Sequence, residues 1–230
     1  MKERPILFSG PMVKAIIEGR KTQTRRIVKP HPPLESDNDA SWPDAKAALW
    51  RNSKQYARDC CPYGQPGDRL WVRETWADTN GESGPMISYR AGGDRFLVED
   101  SYPVDYSRYP GCQFTMWCGD LRRGEDGHKW RPSIFMPRWA SRITLEVTGV
   151  RVERLQSMPR QDAIAEGIEP TMCCSGIECG CQGKPVDDPT WAYQDLWDEI
   201  NGKGSWAANP WVWVLSFRNL DADRARGREA

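Results

Sequence analysis

Apolar periodicity in this chain is confined to short segments separated by irregular stretches, and this spacing restricts the folds that it can adopt. Residues 211–217 carry an aromatic or apolar side chain at every second position, the pattern of a β-strand. A second alternation covers 143–155, and helical spacing occurs at 12–17 and 193–200. Long helices do not regularly follow the strands, so a doubly wound sheet is not expected. The pattern predicts an α+β fold: a small mixed or antiparallel β-barrel with short flanking helices.

Turn and cap residues place the other elements. Gly19 follows the first helical segment and is predicted to end it in the left-handed conformation, and Asp188-Pro189 is predicted to begin the last helix. Segments 31–60, 78–130 and 170–188 lack clear periodicity and are interpreted as insertions. Further strands are predicted at 6–8, 24–29, 69–76, 86–89 and 114–117, further helices at about 45–50 and 157–166, and a disordered tail at 221–230.

Charge and hydropathy exclude several classes of protein. The 230 residues contain 32 basic and 32 acidic side chains, so the net charge is zero and a broadly basic nucleic-acid binder is not indicated. No apolar run approaches the roughly 20 residues of a membrane span. The N-terminus lacks the apolar core of about 7–15 residues that a signal peptide needs. We therefore expect a cytoplasmic protein without a membrane partner, and no motif requires an organic cofactor.

The cysteines form a group that metal chemistry can use. In the cytoplasm the eight cysteines are expected to be reduced thiols or metal ligands. Four of them lie in one short loop and can supply a tetrahedral structural zinc site: Cys173, Cys174, Cys179 and Cys181. Their spacing differs from paired Cys-x-x-Cys knuckles, so two alternatives remain. Ligands can come instead from Cys60-Cys61 and from Cys112 and Cys118, or the thiols are free or redox-active. A catalytic zinc is not expected, because His31 and His128, the only histidines, lie in irregular segments.

Residues 19–26, Gly-Arg-Lys-Thr-Gln-Thr-Arg-Arg, hold the most conspicuous functional pattern. Cationic side chains and two hydroxyls follow a predicted helix end, an arrangement suited to phosphate or to a polar carbonyl group. The predicted strand at 69–76 adds Glu74, a carboxylate that can complete a site.

These residues resemble the signature of the ASCH domain family, a branch of the PUA-like fold. The family signature is Gly-x-Lys-x-x-x-x-Arg, and here it reads Gly19, Lys21 and Arg26. Many members have an acidic residue where this chain has Thr24. A threonine at this position resembles the variant found in the small bacterial members that hydrolyse N4-acetylcytidine. The resemblance also extends to phage and prophage ASCH proteins through segments 1–30, 67–76 and 206–217. It implies a single PUA-like domain over 1–220 and a site made of Lys21, Thr24 and Glu74.

Chemistry gives these residues roles in an amide hydrolase. Thr24 offers a nucleophilic hydroxyl, and Lys21 can take its proton if burial or neighbouring arginines lower the lysine pKa. Glu74 can orient Lys21, act on water or hold the amino edge of cytosine. Arg26 and Arg73 are candidates for phosphate or base contacts, with surface salt bridges as the alternative. Trp76 can stack on a base, but core packing is the favoured interpretation.

A second class of function remains open on the sequence. PUA-like domains commonly bind RNA, and some ASCH relatives are ribonucleases, so the same basic loop can serve an RNA-binding module without hydrolysis. A phage-encoded accessory protein that binds a host protein through the insertions is a third alternative. Lys21, Thr24 and Glu74 together favour the enzyme, because binding alone has little need for the glutamate. The expected partner of the enzyme is a modified nucleoside, and that of the binding module is RNA. The sequence leaves the oligomeric state open.

Overall fold

A computed structural model describes residues 1–29, 53–81, 84–96, 107, 109, 112, 130–169 and 188–222 of the chain. The chain divides into two compact units. The first unit comprises Met1–Lys2, Ala15–Arg69 and Glu146–Asn219. The second comprises Glu3–Lys14, Leu70–Leu145 and Leu220–Ala230.

Short strands and short helices make up the described structure, which confirms the α+β class. The strands are β1 Glu3–Leu7, β2 Gln23–Ile27, β3 Arg69–Arg73, β4 Trp76–Gly81, β5 Gly84–Tyr89, β6 Asp94–Phe96, β7 Thr144–Arg154 and β8 Trp211–Asn219. The α-helices are α1 Gly10–Ile17, α2 Ser53–Cys60, α3 Arg160–Ala165 and α4 Pro189–Asn201. Turns of 3-10 helix lie at Ser133–Phe135, Arg138–Ala140 and Leu155–Ser157.

The strands form open sheets in the described part of the chain, and no closed barrel is found there. In the first unit the strand order is β7-β8-β2, and in the second it is β1-β3-β7, with β7 contributing Thr144 and Leu145. A three-stranded sheet, β4-β5-β6, completes the second unit. The pairs β2–β8, β4–β5 and β5–β6 are antiparallel, and Thr24 of β2 lies opposite Leu215 of β8.

The core of the first unit covers both faces of β8. Val212 and Val214 belong to a buried cluster that includes Tyr193 and Trp197 of α4. The ring of Trp213 stacks on Tyr56 of α2, with 5.3 Å between centroids. Alternation in the sequence predicts β8 correctly, but four consecutive residues of this strand, 212–215, are buried. The second face of β8 is buried because α2, the last part of the predicted insertion 31–60, packs against it.

The core of the second unit lies between the β4-β5-β6 sheet and the chain that carries the 3-10 turns Ser133–Phe135 and Arg138–Ala140. Trp76, Ile87, Tyr89, Met136 and Ala140 form its buried cluster. The hydroxyl of Tyr89 donates a hydrogen bond of 2.7 Å to the carbonyl oxygen of Ala140. These strands show that ordered structure continues into the predicted insertion 78–130.

Several local predictions agree with the structure. Gly19 has a φ of +76°, the left-handed conformation expected at a helix end. Asp188 caps α4 by accepting a hydrogen bond from the Thr190 amide at 3.0 Å. The single strand predicted at 69–76 is wrong in extent, because β3 ends at Arg73 and β4 begins at Trp76.

Some predictions fall outside the described residues. These are the helix at 45–50, the strand at 114–117, the insertion 170–188 apart from its last residue, and most of the tail 221–230. Asp221, the first residue of that tail, accepts a hydrogen bond of 2.6 Å from the Thr144 amide. Within the described ranges, none of the helices has the length and apolarity that crossing a membrane requires.

Candidate active site

Backbone contacts in the first unit place Lys21 directly beside Glu166. The amide of Lys21 donates to the carbonyl oxygen of Ala15 at 3.0 Å, which holds the chain as it leaves α1. The next amide, of Thr22, donates to Ala165 at 2.8 Å, and Lys21 forms an isolated antiparallel β-bridge with Glu166. Glu166, which directly follows α3, is therefore fixed opposite Lys21, which lies two positions before β2.

The side chains of Lys21 and Glu166 form a buried ion pair. Lys21 Nζ donates to Glu166 Oε2 at 2.6 Å and to the Glu166 backbone oxygen at 2.8 Å. The exposed fractions of the two side chains are 0% and 2%. Gly167 makes the close approach feasible, because a Cβ at this residue would lie 3.1 Å from the Lys21 Cβ.

Arg25 extends this pair into a larger group of charges. Its side chain is 0% exposed, and Nη1 lies 3.2 Å from Glu166 Oε1. Nη2 of Arg25 lies 2.6 Å from both Glu153 Oε1 and Asp162 Oδ2. Arg151, which is partly exposed, also pairs with both of these carboxylates. We call the group the ionic cluster; its members are Lys21, Arg25, Arg151, Glu153, Asp162 and Glu166.

Burial and charge shift the titration of three groups at the ionic cluster. Burial lowers the pKa of Lys21, and the charges of Arg26 and Arg25 act in the same direction, while Glu166 opposes them. Burial also acts to lower the pKa of Arg25, but Glu166, Asp162 and Glu153 together raise it. The pKa of Tyr193 is raised well above its usual value by burial and by the nearby charge of Glu166. Lys21 therefore loses its proton more readily than a lysine in water.

The remaining candidates from segment 19–26 lie within five positions of Lys21 in the sequence. Thr24 is buried on β2, three positions after Lys21. Arg26 is half-buried, and its charge acts on both Lys21 and Tyr63. Gly19 ends α1 and has open space around its α-carbon. The first unit thus holds four of the predicted site residues: Gly19, Lys21, Thr24 and Arg26.

Glu74 belongs to the second unit and is held there by Arg142. The guanidinium donates from Nε to Oε1 at 2.9 Å and from Nη2 to Oε2 at 3.0 Å, a two-pronged contact. Arg142 also lies 4.0 Å from the centre of the Tyr89 ring. Burial raises the pKa of Glu74, and the Arg142 contact acts against that rise. The described contacts therefore give Lys21 and Glu74 different ionic partners.

The other two predicted binding residues also lie in the second unit. Arg73 donates from Nη1 to the Ile134 carbonyl oxygen at 3.1 Å and lies 4.6 Å from the Trp71 ring centre. Trp76 is buried in the core cluster and meets Trp139 edge-on. The core-packing interpretation of Trp76 agrees with this placement.

The predicted zinc ligands lie outside the described residues: Cys173, Cys174, Cys179 and Cys181. Within the ranges that the structure describes, no group of three or more His, Cys, Asp or Glu side chains is arranged to hold a metal ion. Cys112 is described and half-buried, and burial raises the pKa of its thiol to about 12. A thiol of this kind is a poor nucleophile at neutral pH.

Sequence reasoning missed the two charged partners, Glu166 and Arg142. For Glu166 the sequence does offer a local signal of a helix end: Gly167 follows it with a positive φ, as Gly19 does after α1. Arg142 carries no such signal beyond its position just before β7. Comparison of this chain with family models, with curated proteins and with solved structures found no match.

Proposed function

We propose that this protein hydrolyses the amide of a modified nucleoside of the N4-acetylcytidine type, with Lys21 and Thr24 at the reacting centre. The observation that carries the proposal is the burial of the Lys21 amine beside Glu166, where burial lowers its pKa. A lysine that is readily deprotonated can serve as a general base near neutral pH. The ASCH resemblance at Gly19, Lys21 and Arg26 supplies the substrate class, and a PUA-like barrel is part of the same proposal.

The reaction that fits these groups has two stages. In the first, neutral Lys21 takes the proton of the Thr24 hydroxyl, and Oγ1 attacks the amide carbonyl carbon. The carbon–nitrogen bond then breaks, and the leaving amine of cytidine receives the proton from Lys21. In the second, water attacks the acetyl ester on Thr24, which releases acetate and restores the hydroxyl. Atoms and protons balance with water as the only co-reactant.

Glu74 stays a candidate on the resemblance, and its surroundings suit a carboxyl with an acid–base role. Burial raises its pKa, so protonation is easier for Glu74 than for a glutamate in water. The variant Glu74→Gln keeps the shape and removes the charge, and we expect it to lower turnover. Wild-type turnover by this variant would remove Glu74 from the proposal.

Binding of RNA through segment 19–26 receives less support from the charges. Lys21 and Arg25 are buried and engaged by carboxylates, so neither side chain presents its charge to a phosphate. Contact with phosphates would also make affinity fall steeply as salt rises. Turnover of an uncharged nucleoside is expected to change little over the same salt range.

The test is incubation of the purified protein with N4-acetylcytidine, with cytidine measured by chromatography. We expect conversion by the wild type and at least about a 100-fold loss in Lys21→Met and Thr24→Val. Lys14→Met and Thr148→Val are the matched controls, because both residues are exposed. Absence of conversion by the folded wild type would overturn the proposed substrate class. Full activity in Thr24→Val would overturn the role of threonine as nucleophile.

A further inference from the structure

We propose that Glu166 is a positioning residue for Lys21, holding its side-chain nitrogen in place through both the carboxylate and the backbone carbonyl. The inference rests on the proposed function, since it concerns the same lysine. Two contacts from one residue, at 2.6 Å and 2.8 Å, fix the nitrogen in direction as well as in distance. An ordinary surface salt bridge joins two mobile side chains, and holding both in one geometry costs side-chain entropy.

The backbone leaves Glu166 little freedom to move away. The β-bridge between Lys21 and Glu166 is reinforced by the hydrogen bond from Thr22 to Ala165. The Glu166 amide donates to the Asp162 carbonyl at 2.9 Å, which ties it to the end of α3. Gly167, at a φ of +93°, then turns the chain tightly against the stem of Lys21.

The carboxylate of Glu166 is itself held from strand β2. Its Oε1 accepts a hydrogen bond of 3.2 Å from Arg25 Nη1. Arg25 in turn is fixed by the two carboxylates Glu153 and Asp162. Glu166 is therefore a rigid anion, as a residue that positions another requires.

The charged groups that act on the Lys21 nitrogen oppose one another. Glu166 favours the protonated amine, while burial and the positive charges of Arg25 and Arg26 favour the neutral amine. Removing the negative charge of Glu166 removes the largest influence that favours the protonated amine. Lys21 should then lose its proton at a lower pH than in the wild type.

The pH dependence of turnover tests this consequence. If neutral Lys21 is the base, turnover rises with pH along an acid limb that follows deprotonation of this lysine. We expect Glu166→Gln to move this limb to lower pH and to reduce the maximal rate. Glu146→Gln is the matched control, because Glu146 of β7 pairs with Arg218 rather than with the ionic cluster, and it should keep the wild-type limb. A Glu166→Gln limb at the wild-type pH would overturn the inference.

A second variant, Glu166→Asp, tests the inference if Glu166→Gln does not fold. Glu166→Asp keeps the charge but shortens the side chain, so the carboxylate no longer reaches the position that it holds 2.6 Å from Lys21. We expect the maximal rate to fall by about tenfold or more, because small displacements of a reacting group are costly. Wild-type turnover in Glu166→Asp would contradict a positioning role.

A measurement without substrate separates this inference from the proposed function. The protein is labelled with 13C at the lysine ε-carbons, and the Lys21 resonance is identified as the one missing in Lys21→Met. We expect its titration midpoint to lie at lower pH in Glu166→Gln than in the wild type. An unchanged midpoint would refute the influence of Glu166 even if N4-acetylcytidine is hydrolysed. A shifted midpoint without any hydrolysis would uphold Glu166 and refute the substrate.

Discussion

Lys21 and Glu166 form an ion pair in which both side chains are buried, with 2.6 Å between Nζ and Oε2. Removing two charges from water costs several kcal/mol for each ion, and their attraction only partly offsets this cost. Replacement of such a pair by apolar residues is often neutral for stability. Stability of the fold alone therefore gives little reason for the pair, and we infer a role in the proposed acid–base chemistry.

The first prediction concerns the cost of breaking this pair. Lys21→Met leaves Glu166 buried with one cation fewer, and we expect unfolding to become easier by about 3–5 kcal/mol. Glu166→Leu added to Lys21→Met removes the leftover charge, so the double variant should be more stable than Lys21→Met alone. Urea unfolding of the wild type, both single variants and the double variant gives the coupling. Simple additivity of the two single effects would contradict a coupled pair.

The second prediction concerns Gly167. Alanine there meets two penalties, a φ of +93° and contacts of 3.1 Å with the Cβ atoms of Ala15 and Lys21. Gly19→Ala meets only the backbone penalty: its φ is +76°, but no atom lies within 4 Å of a Cβ placed at Gly19. We expect Gly19→Ala to cost about 1–2 kcal/mol and Gly167→Ala clearly more. Equal losses in thermal or urea unfolding would show that the approach to Lys21 is not tight.

Local elements of this fold follow from the sequence because neighbouring residues determine them. The helix end at Gly19 needs only a residue that tolerates the left-handed conformation, and the cap at Asp188 needs only an acceptor before Pro189. Strand β8 follows from its alternation, but burial of its second face depends on Tyr56. Local periodicity carries no information on that contact.

The ionic partners of Lys21 and Glu74 are distant in sequence, and for this reason sequence reasoning did not find them. Glu166 lies 145 residues after Lys21, and Arg142 lies 68 residues after Glu74. The sequence therefore identified the buried lysine and the buried glutamate but not the residues that neutralise each of them. Which charges meet is decided by sheet order and helix docking rather than by spacing along the chain.

The third prediction concerns the helix that ends the first predicted insertion. Tyr56 of α2 is buried and stacks on Trp213, so Tyr56→Ala should cost about 3–5 kcal/mol by leaving a cavity against β8. Trp191→Ala is the control, because Trp191 is 62% exposed and its loss should stay within about 0.5 kcal/mol. Chemical unfolding of the two variants decides the matter. A negligible loss in Tyr56→Ala would mean that α2 is not part of the core.

The fourth prediction links Arg142 to the pH dependence of stability. Burial raises the pKa of Glu74 even with Arg142 present, and Arg142→Met should raise it further. Between the ordinary value of 4.5 and this raised pKa, the folded state binds more protons than the unfolded state, so stability increases as pH falls. We therefore expect the deficit of Arg142→Met to be largest near neutral pH and to shrink on acidification.

The control for this pH effect is Arg138→Met. Arg138 pairs with Glu3, and both side chains are well exposed, so its loss should cost no more than about 1 kcal/mol. The two variants are compared by urea unfolding at several values of pH from neutral to 4.5. A deficit for Arg142→Met that stays constant or grows on acidification would contradict the role given to Glu74.

The most direct test of the account is the turnover of N4-acetylcytidine by the double variant Lys21→Met/Glu166→Leu. This protein lacks both the lysine and the buried carboxylate that Lys21 would leave with one cation fewer. Loss of activity in it is therefore not a consequence of unfolding once its stability has been verified. We predict a folded protein that forms no cytidine above the uncatalysed rate, beside an active wild type. Turnover at the wild-type rate by the folded double variant would show that the pair is purely structural and that the chemistry lies elsewhere.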